Sequence, residues 1–479
     1  MKISSVFSRR RSGALLGLAL LAALGAAEAK VEGITGVPGG GGGGCDRLFY
    51  LNADQDHIAT PDGGSVLIWA YGDANNPSVP IQYPGPTLIA NQGERVCITL
   101  FNALPEPVSM VFPGQTGVQA FFGREGILTN EAEPGAGTVQ YEFVASQPGT
   151  FTYHSGTHQD VQVELGLFGA LIVRPTGYNA TTNKRAYASN DSRYDVEYLF
   201  LLSEMDVNVH AQIDALINNG VAVDAATGLY NIDTSQYHPV WWFINGRNGP
   251  DTMGVSHDPL MPLQPYNALV RMNPGQKVLA RIIGGGRESH PFHTHGNNTL
   301  LIAKDGRTLS SQGPNGASLD LAISNFTTRA VPGATYDELF EWTGKGMGWD
   351  IYTNAAGQQH VAADPLETGE CPAARALMAN QGLTQAAAIA ADPDCDHGKP
   401  IPVLLPNNLD QVVGGFYSGS PFLGVAGALP VGEGGLNPNS GYVFMWHSHT
   451  ERELVNFDIF PGGMMTMLVV EPASVPVTE

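Results

Sequence analysis

The feature that most constrains the fold is a series of short β-type segments that recurs at a long period. Aromatic and β-branched residues occur in runs bounded by turn residues, as in "GSVLIWAYGD" and "TVQYEFVASQPGTFTYHSG". Segment 84–104 has a counterpart at 266–286, and segment 149–175 has one at 441–472. Runs of this length and spacing predict an all-β protein that contains two copies of one β-sandwich.

The composition agrees with a turn-rich β architecture. The 479 residues include 59 Gly and 33 Pro, which favour turns over long helices. We predict a first sandwich domain at 45–178 and a second at 193–475. The second copy is longer because of an insertion at about 353–435, which contains the predicted helical stretch "AARALMANQGLTQAAAIAA".

Residues 1–29 have the pattern of a removable export signal. Arg9–Arg11 precede an apolar run that ends at an A-x-A-like cleavage site at 27–29. The arginine pair also fits twin-arginine export. A Gly-rich linker is predicted at 30–44, and no later apolar stretch is long enough to span a membrane. We therefore expect an exported protein, periplasmic or extracellular, that has no membrane contact after cleavage.

The chain is strongly acidic. Its formal net charge of −21 becomes about −24 once the predicted signal is removed. Such a surface repels nucleic acid and anionic membranes and attracts cations. No nucleic-acid partner is expected. Acidic residues that keep an exported protein soluble are the favoured explanation of the charge, and this explanation needs no cationic substrate.

The four cysteines lack the C-x-x-C spacing of zinc and redox motifs. In an exported protein they suggest structural disulfides. Cys371 and Cys395 bracket an Ala-rich segment and are the favoured pair, and Cys45 and Cys97 could join the first strand to a later one. The sequence leaves the pairing open.

Two histidine motifs stand out. "ESHPFHTHGNN" holds His290, His293 and His295, and "MWHSHTERE" holds His447 and His449. Side chains alternate along a strand, so each H-x-H pair points to one face. Two such strands side by side could bring four neutral imidazoles together, a set that suits copper, zinc or iron. A lone histidine is more often structural, but two compact H-x-H arrays favour metal binding.

These motifs resemble those of a known family. "HPFHTHG" and "WHSHTERE…GGMM" resemble the third and fourth copper motifs of the multicopper oxidases, and "VSMVFPG" and "YHSGTH" fall where the family has its first two. The resemblance implies two cupredoxin-like Greek-key domains, similar to the two-domain members and to copper nitrite reductases. It also implies a homotrimer with metal sites between subunits.

The resemblance implies a role for each motif histidine. His290 matches a type 1 copper ligand and His293 a type 2 ligand. The remaining matches are type 3 ligands: His154, His295, His447 and His449. Gly156 replaces a further histidine of the second motif, and His158 lies close enough to substitute for it.

Several positions depart from the family pattern. Val111 and Pro113 stand where the first motif has two histidines. Ser448 replaces the type 1 cysteine, and Glu453 replaces a type 1 histidine. Asp458 occupies the usual axial methionine position; Met464 and Met465 come later.

A blue-copper site needs a soft thiolate, which also connects one copper to the next, so laccase-type turnover is not expected. The sequence favours a histidine-only site for one or two copper ions, with zinc as the alternative metal. If the protein is an enzyme, we expect a copper-dependent oxidoreductase. The competing interpretation is a non-catalytic structural or interaction protein on a degenerate cupredoxin scaffold.

Overall fold

The computed structural model describes residues 31–40, 44–79, 81–273, 275–313, 316–342, 442–471 and 476–477. The predicted signal at 1–29, the insertion at 353–435, Cys371 and Cys395 all lie outside these ranges.

The first half of the chain folds into two facing sheets and a short hairpin. Its strands are β1 (Val37–Pro38), β2 (Arg47–Ala59), β3 (Ser65–Asp73), β4 (Gly85–Asn91), β5 (Arg95–Asn102), β6 (Gln119–Phe121), β7 (Arg124–Glu125), β8 (Asn130–Glu131), β9 (Gly137–Val144), β10 (Gly149–His154) and β11 (Phe168–Arg174). One sheet has the order β1-β2-β5-β9-β6, with β3 also paired to β2, and the other has the order β10-β11-β4. Side chains of a strand point alternately to its two faces, and this explains the burial pattern of strands such as β9. In β9, Val139, Tyr141 and Phe143 are buried and their neighbours are less so.

The second half also consists of two sheets. Its strands are β12 (Val196–Met205), β13 (Trp241–Ile244), β14 (Val270–Met272), β15 (Lys277–Gly284), β16 (His290–Thr294), β17 (Thr299–Lys304), β18 (Arg307–Thr308), β19 (Ile323–Asn325), β20 (Thr327–Ala330), β21 (Thr335–Glu341), β22 (Tyr442–Ser448) and β23 (Met465–Val470). One sheet runs β13-β12-β15-β21-β17-β18, with β19 on β17, and the other runs β14-β23-β22-β16-β20.

The two halves repeat one pairing scheme. Strand β11 pairs antiparallel with β10 and parallel with β4, just as β23 pairs antiparallel with β22 and parallel with β14. In the other sheets β2 runs parallel to β5 and β12 parallel to β15. The all-β architecture of two cupredoxin-like sandwiches is confirmed. The exact domain limits stay predictions.

The short helices lie outside the sheets. Within the ranges given above they are α1 (Gln159–Leu165), α2 (Val207–Asn218) and three 3-10 turns (Asn190–Ser192, Asp251–Met253 and Glu451–Glu453). The Asp206 side chain caps α2 by accepting from the Asn208 N–H. Among the described residues no helix combines the length and the apolar character needed to cross a bilayer.

Apolar packing joins the halves. Each sandwich has its own core, and a third cluster includes Phe168 and Ile172 from the first half with Leu201 and Phe243 from the second. A buried ion-pair network adds to this contact, because Arg174 binds Glu197, which also binds Arg281. The two halves therefore share a buried apolar and ionic interface.

One disulfide lies within the described residues. Cys45 pairs with Cys97, with their Cα atoms 5.8 Å apart, and ties the start of the first sheet to β5. Residues 37 and 38, in the segment predicted as a linker, pair with Leu48 and Arg47 of β2.

Candidate metal centre

Strands β16 and β22 bring the two histidine motifs together. They pair antiparallel, with His293 opposite His447 and Phe292 opposite Ser448. Because side chains alternate along each strand, the paired imidazoles share one face while Phe292 and Ser448 point into the core. The expected convergence of the two H-x-H arrays therefore follows from this register.

The imidazole rings form one compact cluster. The ring centroids of His293 lie 4.7 Å from His295, 5.5 Å from His447 and 4.8 Å from His449. His295 and His447 are 5.2 Å apart by the same measure. One ligand atom from each of His293, His295 and His447 lies within 4.8 Å of the other two, and exposed His449 is outside that group of three.

The Nε2 atoms of His295 and His447 face each other. Nε2 of His447 is 3.2 Å from Nε2 of His295. Nδ1 of His447 lies 2.6 Å from the Ser448 carbonyl oxygen. Because a carbonyl oxygen can only accept a hydrogen bond, Nδ1 carries the proton of the neutral ring, and Nε2 keeps its lone pair. Nδ1 of His293 lies 2.6 Å from the Thr327 hydroxyl.

Their surroundings keep these rings neutral. Burial, together with the neighbouring imidazoles, lowers the pKa of His295 to about 3. Burial lowers the pKa of His447 to about 4 against the opposing effect of its bond to Ser448. Burial also lowers the pKa of His293. At neutral pH the cluster therefore offers lone pairs rather than positive charge.

An open cavity of about 220 Å³ gives access to this cluster. The Phe326 ring forms one wall, with its centroid 5.5 Å from that of His293. The cavity lining is His293, Thr294, His295, Gly296, Asn297, Asn298 and Phe326. Small molecules or ions can thus reach two of the three convergent imidazoles.

His290 has a different environment from the one its motif implies. Its Nε2 lies 2.8 Å from a Glu204 carboxylate oxygen and its Nδ1 lies 2.9 Å from Glu453, and the ring is fully buried. Burial alone would lower the pKa of His290, but these two bonds raise it to about 9. Both ring nitrogens of His290 thus contact carboxylates rather than other imidazoles. The type 1 ligand role implied by the resemblance stays a prediction.

The other residues at the type 1 position complete this arrangement. The Ser448 hydroxyl donates to the same Glu453 oxygen that His290 contacts. Glu453 is 2% exposed, whereas Glu451 on the same turn is exposed. Of these two carboxylates, Glu453 is the buried partner of His290. Met464 is buried, while Asp458 has a left-handed backbone in the loop before it.

The first two motifs lie side by side in the first half. Val111 and His154 form a backbone bridge, so the segment that lacks the two histidines of the first motif still lies next to β10, which carries His154. Nδ1 of His154 lies 2.8 Å from the Ser155 carbonyl oxygen, and burial lowers the pKa of His154. Neither His154 nor His158 joins the group of three imidazoles within the described part of the chain.

His158 is fixed by a buried carboxylate. It begins α1 with a left-handed backbone, and its Nδ1 lies 3.0 Å from Glu106, which is fully buried. Glu106 also accepts from the Gln162 amide and from the Tyr230 N–H. Gly156 has little room for a side chain, because a Cβ atom there would lie 2.8 Å from Val111.

Two buried carboxylates that contact motif histidines are not predicted from the sequence motifs. Glu204 and Glu106 orient His290 and His158, respectively. Glu204 lies in β12, "VEYLFLLSEM", in which every residue is buried. An acid within such an apolar strand needs a buried partner, and this signal could have identified it.

Comparisons with known proteins agree with this architecture. Residues 72–177 match a family model described as multicopper oxidase. An L-ascorbate oxidase of Cucurbita maxima is 40% identical over 97 residues, 20% of this chain and 16% of that protein. An iron transport multicopper oxidase of Epichloe festucae is 40% identical over 95 residues, 19% of this chain and 15% of that protein.

The matched segment therefore spans only about a sixth of these relatives. Among solved structures, the multicopper oxidase mgLAC aligns with 90% of this chain and 88% of its own at 16% identity, with a TM-score of 0.50. This likeness shows the fold.

Proposed function

We propose that this chain, a member of the multicopper oxidase superfamily, binds copper at a histidine-only centre and has no type 1 blue copper. The observation that supports the proposal is the convergence of His293, His295 and His447, whose ligand atoms lie within 4.8 Å of one another. His449 lies beside them as a further ligand.

The donor set fits such an ion. Two nitrogens bound to one tetrahedral ion at about 2.0–2.1 Å are about 3.3 Å apart, and the facing Nε2 atoms of His295 and His447 are 3.2 Å apart. Imidazole nitrogens suit copper and zinc alike. The lowered pKa values keep the rings unprotonated, as ligands must be.

A limited oxidoreductase activity is part of the proposal. Copper held by imidazoles supplies one-electron redox chemistry, and the cavity beside Phe326 lets small reactants approach the ligands. Ser448 offers a hydroxyl already bound to Glu453 instead of a thiolate. Without that thiolate no short covalent path leads to the cluster, so laccase-type turnover is not expected.

We further propose that the histidine cluster of one chain holds one copper ion. In a homotrimer, sites between the subunits would add to the number of ions bound per chain. The resemblance implies metal sites between subunits, where His154 or His158 of a neighbour could reach the cluster. Large apolar side chains are exposed in the first half: Phe122 at 73%, Ile127 at 97% and Leu128 at 58%. Leu128 lies beside Gly156, between the two histidines in sequence, at 3.6 Å from a Cβ atom placed there. Sedimentation should give the mass of three chains, and Ile127→Asp/Leu128→Asp should give that of one.

Export also belongs to the proposal. The supporting observations are the arginines and apolar run of residues 1–29 and the Cys45–Cys97 disulfide, which is typical of an oxidising compartment. N-terminal sequencing of the secreted or periplasmic protein should begin at Lys30. Protein retained in the cytoplasm with residues 1–29 intact would contradict export.

Metal analysis tests the copper centre. We expect the protein expressed with copper to retain about one ion per chain without the strong visible absorption of a thiolate site. His293→Ala/His447→Ala should lose it. The matched control, His57→Ala/His257→Ala, removes two imidazoles that face Asp214 and Glu32 instead and should retain the copper.

Two other results of the metal analysis would decide between the alternatives. If the protein binds zinc instead of copper and loses it in the same double variant, the proposed site is supported and only the identity of the metal changes. No stoichiometric metal in the wild-type protein would contradict the proposal and favour a structural or interaction protein on the cupredoxin scaffold.

A further inference from the structure

Three separate elements meet at His290. Glu204 comes from the end of β12, His290 begins β16, and Glu453 ends the 3-10 turn after β22. The side chains of these residues are 0–3% exposed, and each carboxylate contacts a different ring nitrogen. This buried cluster lies where the resemblance places the type 1 copper.

The hydrogen-bond partners define the charge on the ring. Ionised carboxylates only accept, whereas a neutral imidazole has one donor and one acceptor. A neutral His290 would therefore place a lone pair against one of the two carboxylates. Only a ring with a proton on each nitrogen can donate to both.

The remaining bonds fix the two acids as acceptors. Glu204 receives hydrogen bonds from the backbone N–H groups of Arg287 and Glu288 and, at 3.2 Å, from the Tyr237 hydroxyl. Glu453 receives one from the Ser448 hydroxyl. Donors that converge on a carboxylate favour its ionised form, because they stabilise the negative charge.

We infer that His290, with a proton on each ring nitrogen, is a built-in cation that replaces the type 1 copper as the cross-link of this site. It ties β16 to β12 and to the turn after β22 through two charge-assisted hydrogen bonds. His290, Glu204 and Glu453 are thus positioning residues that hold the strands of the candidate ligands in place without a metal. The inference requires no ion at the four-histidine cluster.

Chemical rescue tests this cation directly. His290→Gly, made in the full chain and studied without metal, leaves an imidazole-sized space between two buried carboxylates. We expect its Tm to fall below that of the wild type and to rise by about 5 °C with saturating imidazole at about pH 6, where free imidazole is mostly protonated. 1-Methylimidazole, whose cation has a single N–H, should rescue far less.

The matched control is His293→Gly on the same strand. Its ring faces Thr327 and other imidazoles rather than two carboxylates, so its Tm should not respond to imidazole. Equal rescue by imidazole and 1-methylimidazole, or no rescue by either, would overturn the inference.

A measurement on the wild-type protein covers the case in which His290→Gly does not fold. NMR of the metal-free chain should show two N–H protons on the His290 ring, one on each nitrogen. A single N–H would overturn the inference. Failure of copper binding with two N–H protons present would contradict the proposed function alone.

Discussion

His290 and His293 lie three residues apart on one strand, yet their surroundings are opposite. His290 contacts two buried carboxylates, and its pKa is raised to about 9. His293 faces imidazoles and a hydroxyl, and burial lowers its pKa. The difference teaches that the neighbours of a motif histidine, rather than the motif, decide whether it acts as a cation or as a ligand.

The same contrast extends across β16 and β22. One side of the paired strands holds a charged, fully bonded cross-link, and the other holds neutral rings whose Nε2 atoms face each other. The paired strands therefore carry an ionic cross-link on one side and a set of neutral imidazole donors on the other.

The largest effect is expected from breaking the cross-link. Glu453→Ala leaves the His290 cation and the Ser448 hydroxyl without their shared partner, so it should lower the free energy of unfolding by about 3–5 kcal/mol. Denaturant unfolding of the metal-free protein measures this. Glu451→Ala on the same turn is the control and should change it by less than about 0.5 kcal/mol. Equal losses of unfolding free energy in Glu453→Ala and Glu451→Ala would contradict the proposed cross-link at His290.

The two sides should also respond to pH with opposite sign. The pKa of His290 is raised from 6.5 to about 9, so its contribution is complete below about pH 6.5 and is lost as pH rises through 9. The wild type should lose up to about 3 kcal/mol over that range relative to His290→Gln. Unfolding at about pH 6.5 and pH 9.5 measures the difference, and an equal loss in both proteins would exclude this role.

On the ligand side, stability should fall in acid. The pKa of His447 is lowered to about 4, so the unfolded chain binds its proton first and the folded state loses stability as pH falls from 6.5 towards 4. The metal-free wild type should lose about 2 kcal/mol more than His447→Asn between about pH 6.5 and pH 4.5. A smaller loss in the wild type than in the variant would mean that the ring is not kept neutral.

The smallest effect is expected at Ser448. Removing its bond to the Glu453 carboxylate in Ser448→Ala should cost about 1.5–2 kcal/mol. Copper content should stay unchanged, since Ser448 points away from the imidazoles on its own strand. Loss of copper in this variant would show that the serine contributes to the metal centre and that the two sides are not separate.

The sequence predicts the parts of this arrangement that depend on local periodicity. Alternation along β16 and β22 places both H-x-H pairs on one face, and the long-period repeat anticipates the shared pairing of β11 and β23. The sequence leaves the pairing of Cys45 with Cys97 open, because a disulfide depends on how distant strands approach each other. Glu204 and Glu106 could not be assigned to His290 and His158, since each pair is joined only by folding.

The most direct test of the central claim is X-ray absorption at the copper edge of the loaded protein. The account predicts one copper per chain with three or four nitrogen scatterers of imidazole type and no sulfur, unchanged in Ser448→Ala and absent in His293→Ala/His447→Ala. A sulfur scatterer, or a copper that survives the double substitution, would contradict it.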